Sequence, residues 1–247
     1  MKLLLIGAGN MGGAMLQGLH VYDVTVVEMY KPRADELREM FPDIKVVDSM
    51  PRLDGFIVIL AIKPQSLDSL HVEGKAKGVI SILAGVTLEK LSSKIDSESY
   101  VRAMPNMAAL VKKSATSLCG DEELKETATE VLNSIGKCFW LNSENELDIA
   151  TGLAGSAPAW IALVAEALSD GAVNLGLKRE ITYKYVAQLF EGVGEVLQNE
   201  HPAILKDKVT SPNGTTIAGL TKLEEGGVRD SFIKAMEASY ERAKKIS

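Results

Sequence analysis

Lys2-Leu3-Leu4-Leu5-Ile6, followed at once by Gly7-Ala8-Gly9-Asn10-Met11-Gly12-Gly13, decides the fold. A short unbroken apolar run is the pattern of a strand buried on both faces of a parallel sheet. The glycines spell G-x-G-x-x-G, and a helical stretch from Ala14 to about Leu19 follows. Strand, glycine loop and helix thus stand in the order that a dinucleotide-binding unit requires. In such a unit Gly7 makes the tight turn, Gly9 lets the backbone meet a pyrophosphate, and Gly12 lets the helix pack close to the strand. Ala8, Asn10 and Met11 complete the loop and are expected at the cofactor with the three glycines.

The same alternation continues outward. Asp23 to Glu28 reads as a second strand closed by Glu28, where an acidic group binds adenosine ribose hydroxyls and favours NAD. Lys31 and Arg33 follow closely and are able to receive a 2'-phosphate, so NADH and NADPH both stay open. Arg33 to Phe41 reads as a helix, Lys45 to Val47 as a strand, and Gly55 to Ile62 as a buried strand. That last strand delivers Ala61, Ile62, Lys63 and Pro64 to the carboxyl end of the sheet, where ligands bind in such folds. Gly78 to Leu83 and Tyr100 to Met104 are further strands, the second closed by Pro105-Asn106. Ala115 to Cys119, a helix from about Glu122 to Ile135, and Lys137 to Leu141 complete a doubly wound, mostly parallel α/β domain over residues 1–142.

After Asn142 the strand pattern stops, and residues 143–247 read as an all-α domain. Glu144 to Leu175 reads as one long helix or two. Its segment Pro158 to Leu168 is apolar on nearly every face, which predicts burial on all sides. A further helix runs from about Glu180 to Asn199 and ends at His201-Pro202, and a last one carries Phe232, Ile233, Met236 and Tyr240. So much apolar helical surface predicts a homodimer. Within this half lies Ser211-Pro212-Asn213-Gly214-Thr215-Thr216-Ile217-Ala218-Gly219-Leu220. Pro and Asn-Gly force a turn, and a helix begins at the threonines. Its first amides have no internal partner and make an anion cradle suited to a carboxylate.

Composition sets the remaining bounds. The 247 residues are 46% hydrophobic and 24% charged, as in an ordinary globular protein, and the formal net charge of -6 argues against nucleic acid or an anionic membrane as partner. Cys119 and Cys138 stand singly without metal spacing, and His20, His71 and His201 are scattered, so no metal site is expected. Leu3 to Ile6 is too short for a signal segment or a membrane span, and the cytoplasm is the expected location.

Taken together, these motifs resemble the pyrroline-5-carboxylate reductase family along essentially the whole chain. The resemblance rests on Ile6 to Gly12, Ala61 to Gln65, Val101 to Asn106, Gly155 to Trp160, His201-Pro202 with Leu205 to Asp207, and Val209 to Leu220 with Leu223 to Gly227. It implies an N-terminal Rossmann domain and a helical C-terminal domain that dimerises and often assembles further. It implies reduction of the cyclic imine 1-pyrroline-5-carboxylate to proline by NADPH or NADH, in a site between the two domains to which the partner subunit's helices contribute. On this resemblance Ser211, Gly214, Thr215 and Thr216 bind the substrate carboxylate. Thr216 also contacts the imine nitrogen, and Met104, Pro105 and Asn106 line the nicotinamide side. Three positions depart from the family's pattern: Asn213 replaces a glycine, Ala157 fills a variable place, and Trp160 replaces a tyrosine. Asn tolerates positive φ, so the turn survives.

Other readings separate on particular residues. A β-hydroxyacid dehydrogenase needs a lysine where Ile161 stands. An imine or keto reductase for another small carboxylate substrate shares these motifs. A non-catalytic dinucleotide-binding regulatory protein has no use for the cradle together with Thr216.

Overall fold

The computed structural model describes residues 1–246. Eight strands form one sheet: β1 (Lys2–Ile6), β2 (Asp23–Val27), β3 (Lys45–Val47), β4 (Ile57–Leu60), β5 (Gly78–Ser81), β6 (Tyr100–Met104), β7 (Ser114–Gly120) and β8 (Gly136–Trp140). Their order is β3-β2-β1-β4-β5-β6-β7-β8. Every neighbouring pair is parallel except β6 and β7. The chain leaves β1 in one direction to β2 and β3, then crosses back to β4 on the other side. The order therefore reverses beside β1, and a crevice opens at the carboxyl ends of β1 and β4.

The apolar runs alternate between two cores. Leu3, Leu5, Val24, Val26, Ile57 and Ile59 face one side of the sheet, against helices α1 (Asn10–Leu19) and α4 (Glu122–Asn133). Leu4, Ile6, Val27, Val58, Leu60 and Val79 face the other, against α3 (Leu88–Lys94). Strands covered on both faces need apolar residues at every position, and β4 reads Ile-Val-Ile-Leu with all four buried.

Several boundaries differ from the sequence reading for identifiable reasons. Helix α1 begins at Asn10, so its first turn contains glycines whose low helix propensity is overridden by tertiary contact. Helix α2 starts at Lys31 and ends at Met40. The β4 run is shortened because Gly55, at φ +85, turns the chain into it. Between α5 (Glu144–Ala150) and α6 (Ala157–Asn174) lies a π-helical segment, Thr151–Ser156, inside one continuous helix. By length and composition Glu144–Asn174 is apolar enough to cross a bilayer.

By density of internal contacts the chain divides into two units. The first takes Met1–Ser156 and the chain from Ala238 onward, and the second takes Ala157–Glu237. The second unit holds α6, α7 (Arg179–Val196), α8 (Pro202–Lys208), α9 (Thr215–Glu225) and the start of α10 (Val228–Ile246). Here the expected burial of Pro158 to Leu168 is not met within one chain: Ile161, Leu163 and Leu168 are exposed. On α6 to α9 the buried residues are Ser169, Thr182 and Val186. A helix apolar all round needs cover on all sides, and the neighbouring helices of this chain supply only part of it.

An ion cluster ties the first unit together. Arg102 on β6 is 2% exposed, and its guanidinium donates to Glu144 at 2.8 Å and to Asp148 at 3.2 Å on α5. The Glu144 carboxylate also accepts from the Leu88 amide at 3.0 Å, so one ion cluster clasps β6, α5 and the start of α3. The thiols of Cys119 (buried, on β7) and Cys138 (on β8) are both pushed up to about 11 by burial. Removing Arg102 leaves two carboxylates beside a dry strand. Arg102→Ala is expected to lower the free energy of unfolding by about 3 kcal/mol, read from urea denaturation; an unchanged midpoint would show that solvent already compensates these charges.

Candidate active site

The crevice beside β1 holds a cavity of about 490 Å³. Of the residues expected at the cofactor, Gly7, Gly9, Asn10, Met11, Glu28, Ala61, Ile62, Lys63, Pro64, Met104 and Pro105 line it. They come from the carboxyl ends of β1, β2, β4 and β6, which is where the strand order places them. Ser66, Ile82, Leu83, Ala84 and Met107 line it too, and the sequence reading did not assign them. For Ile82 to Ala84 the signal was present, since their strand also ends in small residues at the same edge.

The glycine loop is fixed by backbone geometry. Gly7 sits at φ +90 with its amide bonded to Val27 O at 3.0 Å. A Cβ on Gly12 would run into the Gly7 carbonyl, so α1 docks on the end of β1 at backbone contact. Gly9 is the N-cap of α1, and a Cβ there would meet nothing within 4 Å; the open side of the loop faces the cavity. The first bond of α1 runs from Gly13 N to Gly9 O, so the amides of Asn10, Met11 and Gly12 precede the ladder. Unpaired donors at a helix start, above a loop with no side chain in the way, fit a pyrophosphate.

Ala8, Gly12 and Asn106 support the site without lining the cavity. The Ala8 amide donates to Glu28 Oε2 at 3.0 Å, and its carbonyl accepts from Arg33 Nε at 2.8 Å. Asn106 is buried, and its side chain accepts from Ala108 N and donates to Ala154 O, each at 3.0 Å. It therefore holds a carbonyl of the π segment, where the helical ladder is irregular. Lys63 is exposed at the start of the 3-10 turn Pro64–Ser66.

Ser211, Gly214, Thr215 and Thr216 form a group of their own on the second unit. Pro212 and Asn213 make the turn, with Asn213 at φ 56 as the replacement of glycine requires. The Gly214 amide donates to Ser211 O at 3.1 Å, so it is spent on closing the turn. Gly214 matters sterically instead, because a Cβ there would run into the Ser211 hydroxyl. The first bond of α9 is Ala218 N to Gly214 O. The amides ahead of the ladder are therefore those of Thr215, Thr216 and Ile217, and Ile217 was not foreseen. Among the described residues the Thr216 hydroxyl has no hydrogen-bond partner. Glu200 is ion-paired with Lys208.

A mostly parallel sheet with this crevice and glycine loop defines a dinucleotide-binding α/β protein. Over 262 residues the chain is 35% identical to the pyrroline-5-carboxylate reductase of Thermus thermophilus, covering 100% of this chain and 98% of that one. The chain belongs to the pyrroline-5-carboxylate reductase family. Residues 144–246 match the family model for pyrroline-5-carboxylate reductase dimerisation, and residues 2–85 the model for NADP oxidoreductase, coenzyme F420-dependent. The crystal structure of the 1-pyrroline-5-carboxylate reductase of Streptococcus pyogenes superposes with a TM-score of 0.86 at 32% identity, covering 99% and 98% of the two chains. That of the Plasmodium falciparum pyrroline carboxylate reductase, which has NADP bound, superposes at 0.79 with 27% identity, covering 100% and 99%. The protein is an oxidoreductase, and its cofactor is a nicotinamide dinucleotide.

The contact between Gly12 and the Gly7 carbonyl tests the geometry of the cofactor loop. Gly12→Ala must push α1 away from β1, at about 1–3 kcal/mol of stability. A lower melting temperature and loss of dinucleotide binding in a calorimetric titration are expected. A variant that binds as well as the wild type would show that the close approach is dispensable.

Proposed function

We propose that residues 1–142 bind the dinucleotide and that residues 143–247 bind the substrate and dimerise. The enzyme reduces 1-pyrroline-5-carboxylate to L-proline, the last step of proline biosynthesis. When bound, the reduced nicotinamide supplies the hydride. The residues of this chain do the rest. The amides of Asn10, Met11 and Gly12 take the pyrophosphate, and Ala61 to Pro64 with Met104 and Pro105 wall the crevice that receives the dinucleotide. Thr215, Thr216 and Ile217 amides, with the Ser211 hydroxyl, hold the substrate carboxylate. Reduction turns the imine nitrogen into an amine that gains a proton, and the Thr216 hydroxyl orients that proton. An imine already protonated needs no strong acid, so positioning of donor and acceptor carries most of the acceleration.

The observation that carries this reading is the Ser211–Thr216 turn. It presents three amides ahead of a helix ladder beside a hydroxyl that has no partner among the described residues. A carboxylate is the anion that these donors suit, and Ile161 stands where alcohol oxidation would place a lysine. The bare helices favour a homodimer. With Ile161, Leu163, Tyr185 and Leu189 exposed on α6 and α7, a second copy supplies the cover that one chain lacks. The apolar stretch Glu144–Asn174 belongs to that cover in this reading, with no membrane or nucleic acid as partner and the cytoplasm as the location.

Two measurements test the proposal. Loss of NADH or NADPH absorbance on adding 1-pyrroline-5-carboxylate, with proline identified as the product, is expected; folded protein that binds dinucleotide without turnover would overturn the substrate assignment. Thr216→Ala is expected to lower kcat/KM by about 10²-fold, with Thr216→Ser restoring most of it. Wild-type kcat/KM in the alanine variant would remove the hydroxyl from the mechanism.

A further inference from the structure

The segment between β2 and α2 begins at Glu28, which lines the cavity where the adenosine ribose sits in sites of this kind. Its charged groups are already arranged. Glu28 Oε2 accepts from the Ala8 amide at 3.0 Å and Oε1 from the Tyr30 amide at 2.9 Å, so both carboxylate oxygens are pinned at the cavity wall. Each oxygen keeps acceptor capacity for a further donor.

Arg33, one of the two cations that the sequence offers to a 2'-phosphate, is committed elsewhere. Its Nε donates to Ala8 O at 2.8 Å and its Nη1 to Glu36 at 2.6 Å. Its Nη2 occupies the space that a Cβ on Gly13 would take. The guanidinium thus lies behind the glycine loop with its charge paired. Several backbone donors of the segment are spent as well. The Arg33 and Ala34 amides both donate to Tyr30 O at 3.0 Å, Pro32 has no amide hydrogen, and the Tyr30 amide belongs to Glu28. The exposed Lys31 side chain and the amides of Met29 and Lys31 remain.

We propose that Glu28 makes this enzyme selective for NADH over NADPH. A ribose with both hydroxyls free brings two donors to a fixed acceptor. A 2'-phosphate brings roughly two negative charges to a fixed carboxylate, with the nearest guanidinium neutralised by Glu36. The proposal rests on the reading of the crevice as the dinucleotide site.

The test is calorimetric titration of the full-length wild-type protein with NADH and with NADPH, in the absence of substrate. NADH is expected to bind at least tenfold more tightly. Glu28→Gln removes the charge and keeps an oxygen acceptor, and is expected to weaken NADH, strengthen NADPH and bring the ratio near one. A purely structural Glu28 would weaken both dinucleotides equally and leave the ratio unchanged, which overturns the proposal. Equal affinities in the wild type, or tighter NADPH, also overturn it, whatever the variant does. Binding of neither dinucleotide overturns the crevice reading and the selectivity with it.

Discussion

The meeting of Gly12 with the carbonyl of Gly7 is the constraint on which the rest of the molecule depends. Helix α1 rests on the end of β1 with no side chain between them. That contact aims the unpaired amides of Asn10 and Met11 over the crevice, and it lets Gly9 leave the approach open. The sheet order does the complementary work. Because the chain reverses beside β1, the ends of β4, β5 and β6 arrive on the other side of the same opening. Backbone proximity and strand order together make one cavity from segments spread across more than one hundred positions of sequence.

The two units are stabilised by different means. The first buries apolar runs on both faces of its sheet and adds the Arg102 cluster, which holds α5 where the strand pattern ends. The second has little interior within one chain, and Ser169, Thr182 and Val186 are its buried residues on α6 to α9. For a unit built this way, any association that covers these helices adds stability and links folding to assembly by mass action.

Much of the fold was legible because burial on two faces leaves a plain mark. The Lys2 to Ile6 and Gly55 to Ile62 runs read as buried strands, and β1 and β4 within them lie in the middle of the sheet. Boundaries were less legible, since Gly12 and Gly13 discourage a helix locally while packing on β1 imposes one. The antiparallel step between β6 and β7 and the π segment have no compositional sign. In the site, residue types and spacing pointed to Gly7, Glu28 and Lys63, and the family resemblance to Met104, and all four line one cavity. They did not reveal the direction of side chains. Asn106 turned out to hold Ala154, and Arg33 to brace Ala8. The Gly214 amide closes the turn, which moves the third free donor to Ile217.

The depth of the two thiols has a practical side. The thiolate is the form that attacks alkylating and disulfide reagents, and burial holds both cysteines in the protonated state well past neutral pH. The native sulfur is thus chemically quiet. A cysteine placed at exposed Lys63, on the rim of the crevice, would be the fast-reacting thiol against that background. A single fluorophore or spin label can then be set at the mouth of this crevice, and the binding of a dinucleotide followed directly, with the chain's own cysteines left in place.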